Sequence, residues 1–196
     1  MDPPIVSCVS DAEPVAWRNG GGTTRVLATW PDAADWIVRV SVAEILASGP
    51  FSTFEGVDRW FAVLSGDGVR LDTKAAAARE VSPSESTLHR FAGDLPTWCT
   101  ARGVRTEDLN IMLRRDRGRL HDLPLAAGAE LATKAEWAGL FVVEPTEVAV
   151  GRGAPWQLPG MALASWPNPR RELRRLRATG TPGRGWWLEV ESAGHP

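Results

Sequence analysis

The sequence predicts an all-β protein made of two fused β-sandwich barrels, and three observations carry that expectation. Apolar and polar residues alternate with a period of two in one segment after another from about residue 24 onward. Turn residues separate those segments at spacings of roughly 8 to 14 residues, as in sandwiches and barrels. Convincing amphipathic helical stripes are few. A chain of 196 residues has room for two such units. They are expected at 1–120 and 121–196, with a break near 116–130 and with strands free to exchange between the halves.

The elements follow in order. TTRVLATW (23–30) is β-branched and strand-like. WIVRVSVA (36–43) places Val38, Val40 and Val42 on one face and Ile37, Arg39 and Ser41 on the other. RWFAVL (59–64) and VRLD (69–72) flank SGDG, a glycine-rich hairpin turn. TKAAAARE (73–80) holds helix formers without an apolar stripe, which predicts a loop or one short turn. DLNIMLRR (108–115) sets Leu109, Ile111 and Leu113 against Asn110, Met112 and Arg114. GLFVVE (139–144), EVAV (147–150), ELRRLR (172–177) and GWWLEV (185–190) continue the pattern. Pro and Gly punctuate 49–50, 155–160, 167–169 and 180–183.

Composition narrows the function. Hydrophobic residues at 43% and charged residues at 23% supply a normal globular core. A formal net charge of −2 gives no broad field for nucleic acid or an anionic membrane. The basic runs RRDRGR (114–119) and RRELRRLR (170–177) are interrupted by acidic or apolar residues and read as solvated strand faces or loops. Cys8 and Cys99 are the only cysteines, which excludes a disulfide framework and a cysteine-based zinc site. MDPPIVSCVSDAEPV lacks the basic start and apolar run of a signal peptide, and no apolar stretch reaches membrane-spanning length. A cytoplasmic protein is expected.

The run WRNGGG (17–22) poses a question of its own. No Walker loop follows, because Thr23, Thr24 and Arg25 stand where Lys and Ser or Thr are needed. A dinucleotide fingerprint would open a helix, whereas TTRVLATW is strand-like. What remains is a bend that needs positive φ or close backbone approach, with Arg18 and Asn19 at its mouth.

PVAWRNGGGTTRVLATWP, RVSVAEI, SGPFSTFEGVDRWFAVLSGDGVRL and DLNIMLRR together resemble the HutD/Ves family, over roughly 14–190. Three positions depart from its pattern: Val15-Ala16 separates Pro14 from Trp17, Val38 stands where Trp is common, and Glu55 replaces a proline. The resemblance implies a bicupin of the RmlC-like cupin superfamily. It also implies an association with bacterial histidine degradation, tuning the pathway rather than catalysing a step. Ves-type relatives are linked to stress or cold responses.

Metal-binding cupins carry a His pair and a Glu ahead of a glycine turn. Here Ser52 and Phe54 stand at the His positions and Arg59 at the Glu position. His89, His121 and His195 all lie outside that motif. A site built on arginine suits an anion, so no metal or other cofactor is expected. Arg39, Arg59, Asn110 and Arg114 lie on polar strand faces and would converge if those faces line one barrel. Ser41, Phe51, Phe54 and Trp17 would supply a hydroxyl and apolar walls. Asn19 would face the ligand or hold its own loop. Glu44 would act as a general base or as an arginine's ion-pair partner. The main expectation is a metal-free binder of a small carboxylate, such as urocanate or a formylated glutamate. An enzyme acting on such an intermediate and a protein-interaction module are the alternatives, and a homodimer stays open. Elemental analysis of the purified protein should find far less than one zinc, iron, nickel or manganese per chain; a stoichiometric metal lost on mutating 52–59 would overturn the anion-site reading.

Overall fold

The computed structural model describes residues 3–74, 77–126, 128–179 and 183–193. His195 lies outside the described residues, as do Ala75 and Ala76 of the expected 73–80 loop. All regular structure described is strand. In chain order these are β1 (Ile5–Cys8), β2 (Pro14–Ala16), β3 (Gly22–Trp30), β4 (Val38–Ile45), β5 (Gly49–Pro50) and β6 (Val57–Gly66). Then come β7 (Val69–Thr73), β8 (Arg79–Val81), β9 (His89–Ala92), β10 (Thr97–Ala101), β11 (Thr106–Arg114), β12 (Gly118–Pro124) and β13 (Glu130–Thr133). The chain ends with β14 (Trp137–Val142), β15 (Thr146–Val150), β16 (Trp156–Leu158), β17 (Ala162–Pro167), β18 (Arg174–Thr179) and β19 (Gly185–Ser192). No helix among the described residues is long and apolar enough to cross a membrane.

The chain divides into two compact units, Glu13–Asp116 on one hand and Met1–Ala12 with Arg117–Pro196 on the other. The first strand therefore belongs with the C-terminal unit, pairing antiparallel with β17 from Ile5 opposite Ser165 to Cys8 opposite Ala162. Such long-range pairing leaves no mark on the local pattern. Strand β12 also runs through the stretch where the sequence places a break. The 73–80 segment supplies the end of β7 and the start of β8, whose Leu71 pairs Arg79.

In the Glu13–Asp116 unit a six-stranded sheet, β2-β3-β4-β11-β6-β9, faces a four-stranded sheet, β5-β10-β7-β8. Ile45, Phe61 and Val63 from the first pack with Val69, Leu71, Val81 and Cys99 from the second. The sheets do not close into a hydrogen-bonded barrel, which corrects the closed form of the expectation. Their edge strands are short, and Pro14 and Pro50 offer no N–H to continue a ladder. The other unit repeats the design with sheets β1-β17-β14-β19-β12 and β13-β18-β15-β16. Its interior is filled by Trp166 and Trp187 among Leu140, Val148, Leu158 and Leu176. In β18 the basic run alternates: Arg174 and Leu176 are buried, while Arg175 reaches out to Glu130 at 2.9 Å.

The glycine run resolves into two separate demands. Gly20 takes φ of 70°, where L side chains are strained, and donates to the Trp17 carbonyl at 3.0 Å. Gly22 opens β3 opposite Ile45, so close to the neighbouring strand that a Cβ would overlap the Glu44 carbonyl oxygen. Gly21, by contrast, meets only the Asn19 side chain, at 3.3 Å. Gly22→Ala is expected to lower unfolding stability by about 2 kcal/mol or more, since backbone must move. Gly21→Ala should cost much less. Urea unfolding midpoints of the two variants check the ordering, and equal losses would refute it.

Candidate functional site

The Glu13–Asp116 unit holds a cavity of about 660 Å3, within the ordinary range for small-molecule sites. Strand β11 forms its floor, with β4 on one side and β6 on the other. Because side chains alternate, Asp108, Asn110 and Met112 face the cavity, and the two registers align each with a residue from either neighbour. Met112 stands opposite both Arg39 and Arg59, Asn110 opposite Ser41 and Phe61, and Asp108 opposite Ala43 and Val63. The site is therefore layered along the strands: a cationic level, a hydroxyl and amide level, and a carboxyl level. A bulge between Glu107 and Asp108 brings Asp108 opposite Val63 rather than Leu64.

Arg59 is only 6% exposed. Its guanidinium carbon lies 4.9 Å from the Phe51 ring centre, 5.1 Å from that of Phe91 and 6.0 Å from that of Phe54. Those three faces favour a cation electrostatically. Its Nε donates to Asn110 Oδ1 at 3.3 Å, while neither Nη has a hydrogen-bond acceptor among the described residues. Burial lowers its pKa to about 10; Asp108 opposes that shift and Arg39 reinforces it, and the group stays charged at neutral pH. Arg39 is half-buried, its pKa lowered by desolvation, and its Nη1 donates to Met112 Sδ at 3.8 Å. Ser41 Oγ donates to the Asn110 carbonyl at 3.3 Å.

Trp17, Arg18 and Asn19 line the cavity from the glycine segment. Trp17 Nε1 donates to Thr24 Oγ1 at 2.8 Å, and its ring meets Phe51 edge-on at 6.3 Å. Asn19 Oδ1 accepts from the Gly21 N–H at 3.0 Å, so this side chain braces its own turn. Phe51, Ser52 and Phe54 line the cavity from the segment between β5 and β6.

Two residues named from the sequence do not line it. Glu44 follows Ala43 on β4, so alternation turns it to the opposite face, where it pairs with Arg105. Arg114 shares the parity of Met112 but lies beyond it at the strand's end; it binds Asp35 at 3.2 Å and stacks 5.2 Å over Trp36. Asp58, the residue before Arg59, is held by Arg90 at 2.6 Å and Arg115 at 2.9 Å rather than by Arg59. Sequence reasoning missed Asp108 and Met112 as lining residues, although Asn110 on the same face points to both. The donor set fits no divalent cation, because two arginines stand at the level where ligands would be needed. Among the described residues no three His, Cys, Asp or Glu side chains cluster as metal ligands.

Asp108 is only 2% exposed, and its Oδ2 has no hydrogen-bond partner among the described residues. Burial pushes its pKa from 3.8 to about 8; Arg59 pulls it down and Glu107 adds to the rise. The thiol of buried Cys99 is likewise pushed up to about 12, chiefly by desolvation, so it is an inert neighbour.

A two-sheet sandwich with a polar cavity between its layers is a cupin-like fold. Residues 9–181 match the HutD family model, and the chain belongs to the HutD family. It is 40% identical to Protein Ves of Citrobacter koseri over 171 residues, covering 84% of this chain and 83% of that one. It is 36% identical over 107 residues to a Pseudomonas putida protein described as uncharacterized and lying in the hutC 3' region, covering 53% and 54%. Among solved structures, HutD of Pseudomonas fluorescens SBW25, in a formate condition, superposes with a TM-score of 0.85 at 23% identity, covering 97% of this chain and all of that one. Bacillus subtilis oxalate decarboxylase shares the fold at a TM-score of 0.62 and 10% identity, covering all of this chain and 78% of that one.

The raised pKa of Asp108 has a sign that can be tested. Its folded form holds a proton more tightly than its unfolded form, so its contribution is complete below about pH 4 and is lost as pH rises through about 8. Wild-type stability should fall across that window, and Asp108→Asn should flatten the fall by ~1 kcal/mol or more. Urea titrations from pH 4.5 to 8.5 read this out; parallel profiles for the two proteins would refute it.

Proposed function

We propose that the chain is a metal-free bicupin that binds a small carboxylate in the cavity of the Glu13–Asp116 unit and modulates histidine utilisation in the cytoplasm. The observation that carries this reading is Arg59: a buried, charged guanidinium whose two Nη groups have no acceptor among the described residues, inside a cavity. Such a donor pair matches a carboxylate bidentately, and Arg39 at the same level adds charge. The Trp17, Phe51 and Phe54 rings wall a space suited to a planar or short-chain acid. Membership of the HutD family and likeness to a Pseudomonas putida protein from the hutC region support the pathway assignment. Urocanate and formylglutamate are the candidate ligands. One observation favours a second reading, metal-independent turnover of the same acid: Asp108, a buried carboxyl titrating near neutrality, is what acid–base chemistry uses. Incubating both acids with the pure protein and following them by chromatography separates binding from turnover.

Calorimetry with urocanate and formylglutamate tests the anchor. Charge-assisted bonds to a buried arginine are worth about 1.5–3 kcal/mol each, so Arg59→Ala should bind at least about tenfold more weakly. Arg59→Lys should recover only part of the loss, since a point charge lacks the fork. The fold should persist, because Glu44 and Asp58 are held by other arginines. Equal affinity in wild type and Arg59→Ala would move the anion elsewhere.

A further inference from the structure

Asp108 Oδ2 has no hydrogen-bond partner among the described residues. Its partners in register, Ala43 and Val63, are apolar. Among the cavity's hydroxyls, Ser41 Oγ donates to the Asn110 carbonyl rather than to Asp108, and Thr24 Oγ1 accepts from Trp17 Nε1. A buried polar atom left unpaired costs about 1–3 kcal/mol, and a leucine of similar size would avoid that cost. Yet the bulge at Glu107/Asp108 presents this carboxyl to the cavity. Meanwhile Asn110 draws the Arg59 guanidinium towards the middle level. About one two-residue strand step, ~7 Å, then separates the cationic fork from the carboxyl. A ligand lying along β11 would meet both.

We propose that the Asp108 carboxyl shares a proton with a basic nitrogen of the ligand whose carboxylate is held by Arg59, so that the cavity selects acids bearing an imidazole-type or amine nitrogen over plain carboxylates and dicarboxylates. This rests on the carboxylate reading above and, of its two candidate ligands, favours urocanate, with its imidazole, over the dicarboxylate formylglutamate. A nitrogen base satisfies Asp108 in either protonation state. A carboxylic acid donates to the nitrogen lone pair, and a carboxylate accepts from the protonated nitrogen. The group titrates close enough to neutrality for both to be accessible. A second carboxylate would instead face Asp108 at a level where no arginine stands in register. A ligand without the nitrogen leaves the desolvated Asp108 carboxyl without a partner from the ligand, which is how a polar site rejects an apolar isostere.

Three probes test the assignment by calorimetry at pH 7: 3-(imidazol-4-yl)propanoate, its nitrogen-free counterpart 3-(thiophen-3-yl)propanoate, and glutarate. Wild type should bind the imidazolyl acid at least about tenfold more tightly than either of the others. In Asp108→Leu that preference should collapse, with thienyl affinity kept or improved. Circular dichroism checks the fold, and Asp108→Asn, of the same shape, serves if the leucine variant does not fold; it should reduce the preference. Equal affinities in wild type, tighter binding of glutarate, or a preference that survives both substitutions would overturn the proposal while leaving Arg59 as anion anchor. Binding of none of the three by wild type would overturn the carboxylate reading, and this assignment with it.

Discussion

Strand β11 hydrogen-bonds to β4 on one side and β6 on the other, and the whole site depends on that double register. The side-chain period of two puts Asp108, Asn110 and Met112 on one face, and the registers then bring two arginines to the same level from opposite sides. A slip of one residue on either flank would turn Arg39 or Arg59 out of the cavity and bring in the apolar face. The neighbours on that other face, Val38, Val40, Leu109 and Ile111, are fully buried, which is the energetic reason such a slip is excluded.

Charge is the second constraint. Two arginines occupy one level of a partly desolvated cavity, and the one carboxyl lining it among the described residues, Asp108, lies two registers away with its pKa raised by burial. The protein therefore tolerates an uncompensated positive interior. It does so by setting Arg59 against three phenylalanine faces and an amide oxygen, which stabilise the guanidinium without occupying both ends of its fork. Ion pairs that would neutralise it are used elsewhere: Glu44 on Arg105, Asp58 on Arg90 and Arg115. The other unit shows the contrasting solution, an interior filled with tryptophan.

What the sequence by itself determined was local. Alternation in 36–43, 59–64 and 108–115 identified strands and the face on which Arg39, Ser41, Arg59 and Asn110 lie, because period two is a property of each strand alone. The three glycines announced a bend with special backbone needs, which Gly20 meets by positive φ and Gly22 by close approach to Glu44. Tertiary structure decided what depends on partners distant in the chain. It paired β1 with β17, held Arg114 with Asp35 and Trp36, turned Glu44 to Arg105, and left the sheets open at short, proline-bearing edges. Above all it made Asp108 a functional candidate. An aspartate before Leu-Asn reads as an ordinary strand-end acid; only the fold shows it buried, lining a cavity and with Oδ2 unpartnered among the described residues, because burial and hydrogen-bond partners are set by neighbours that the local sequence does not contain.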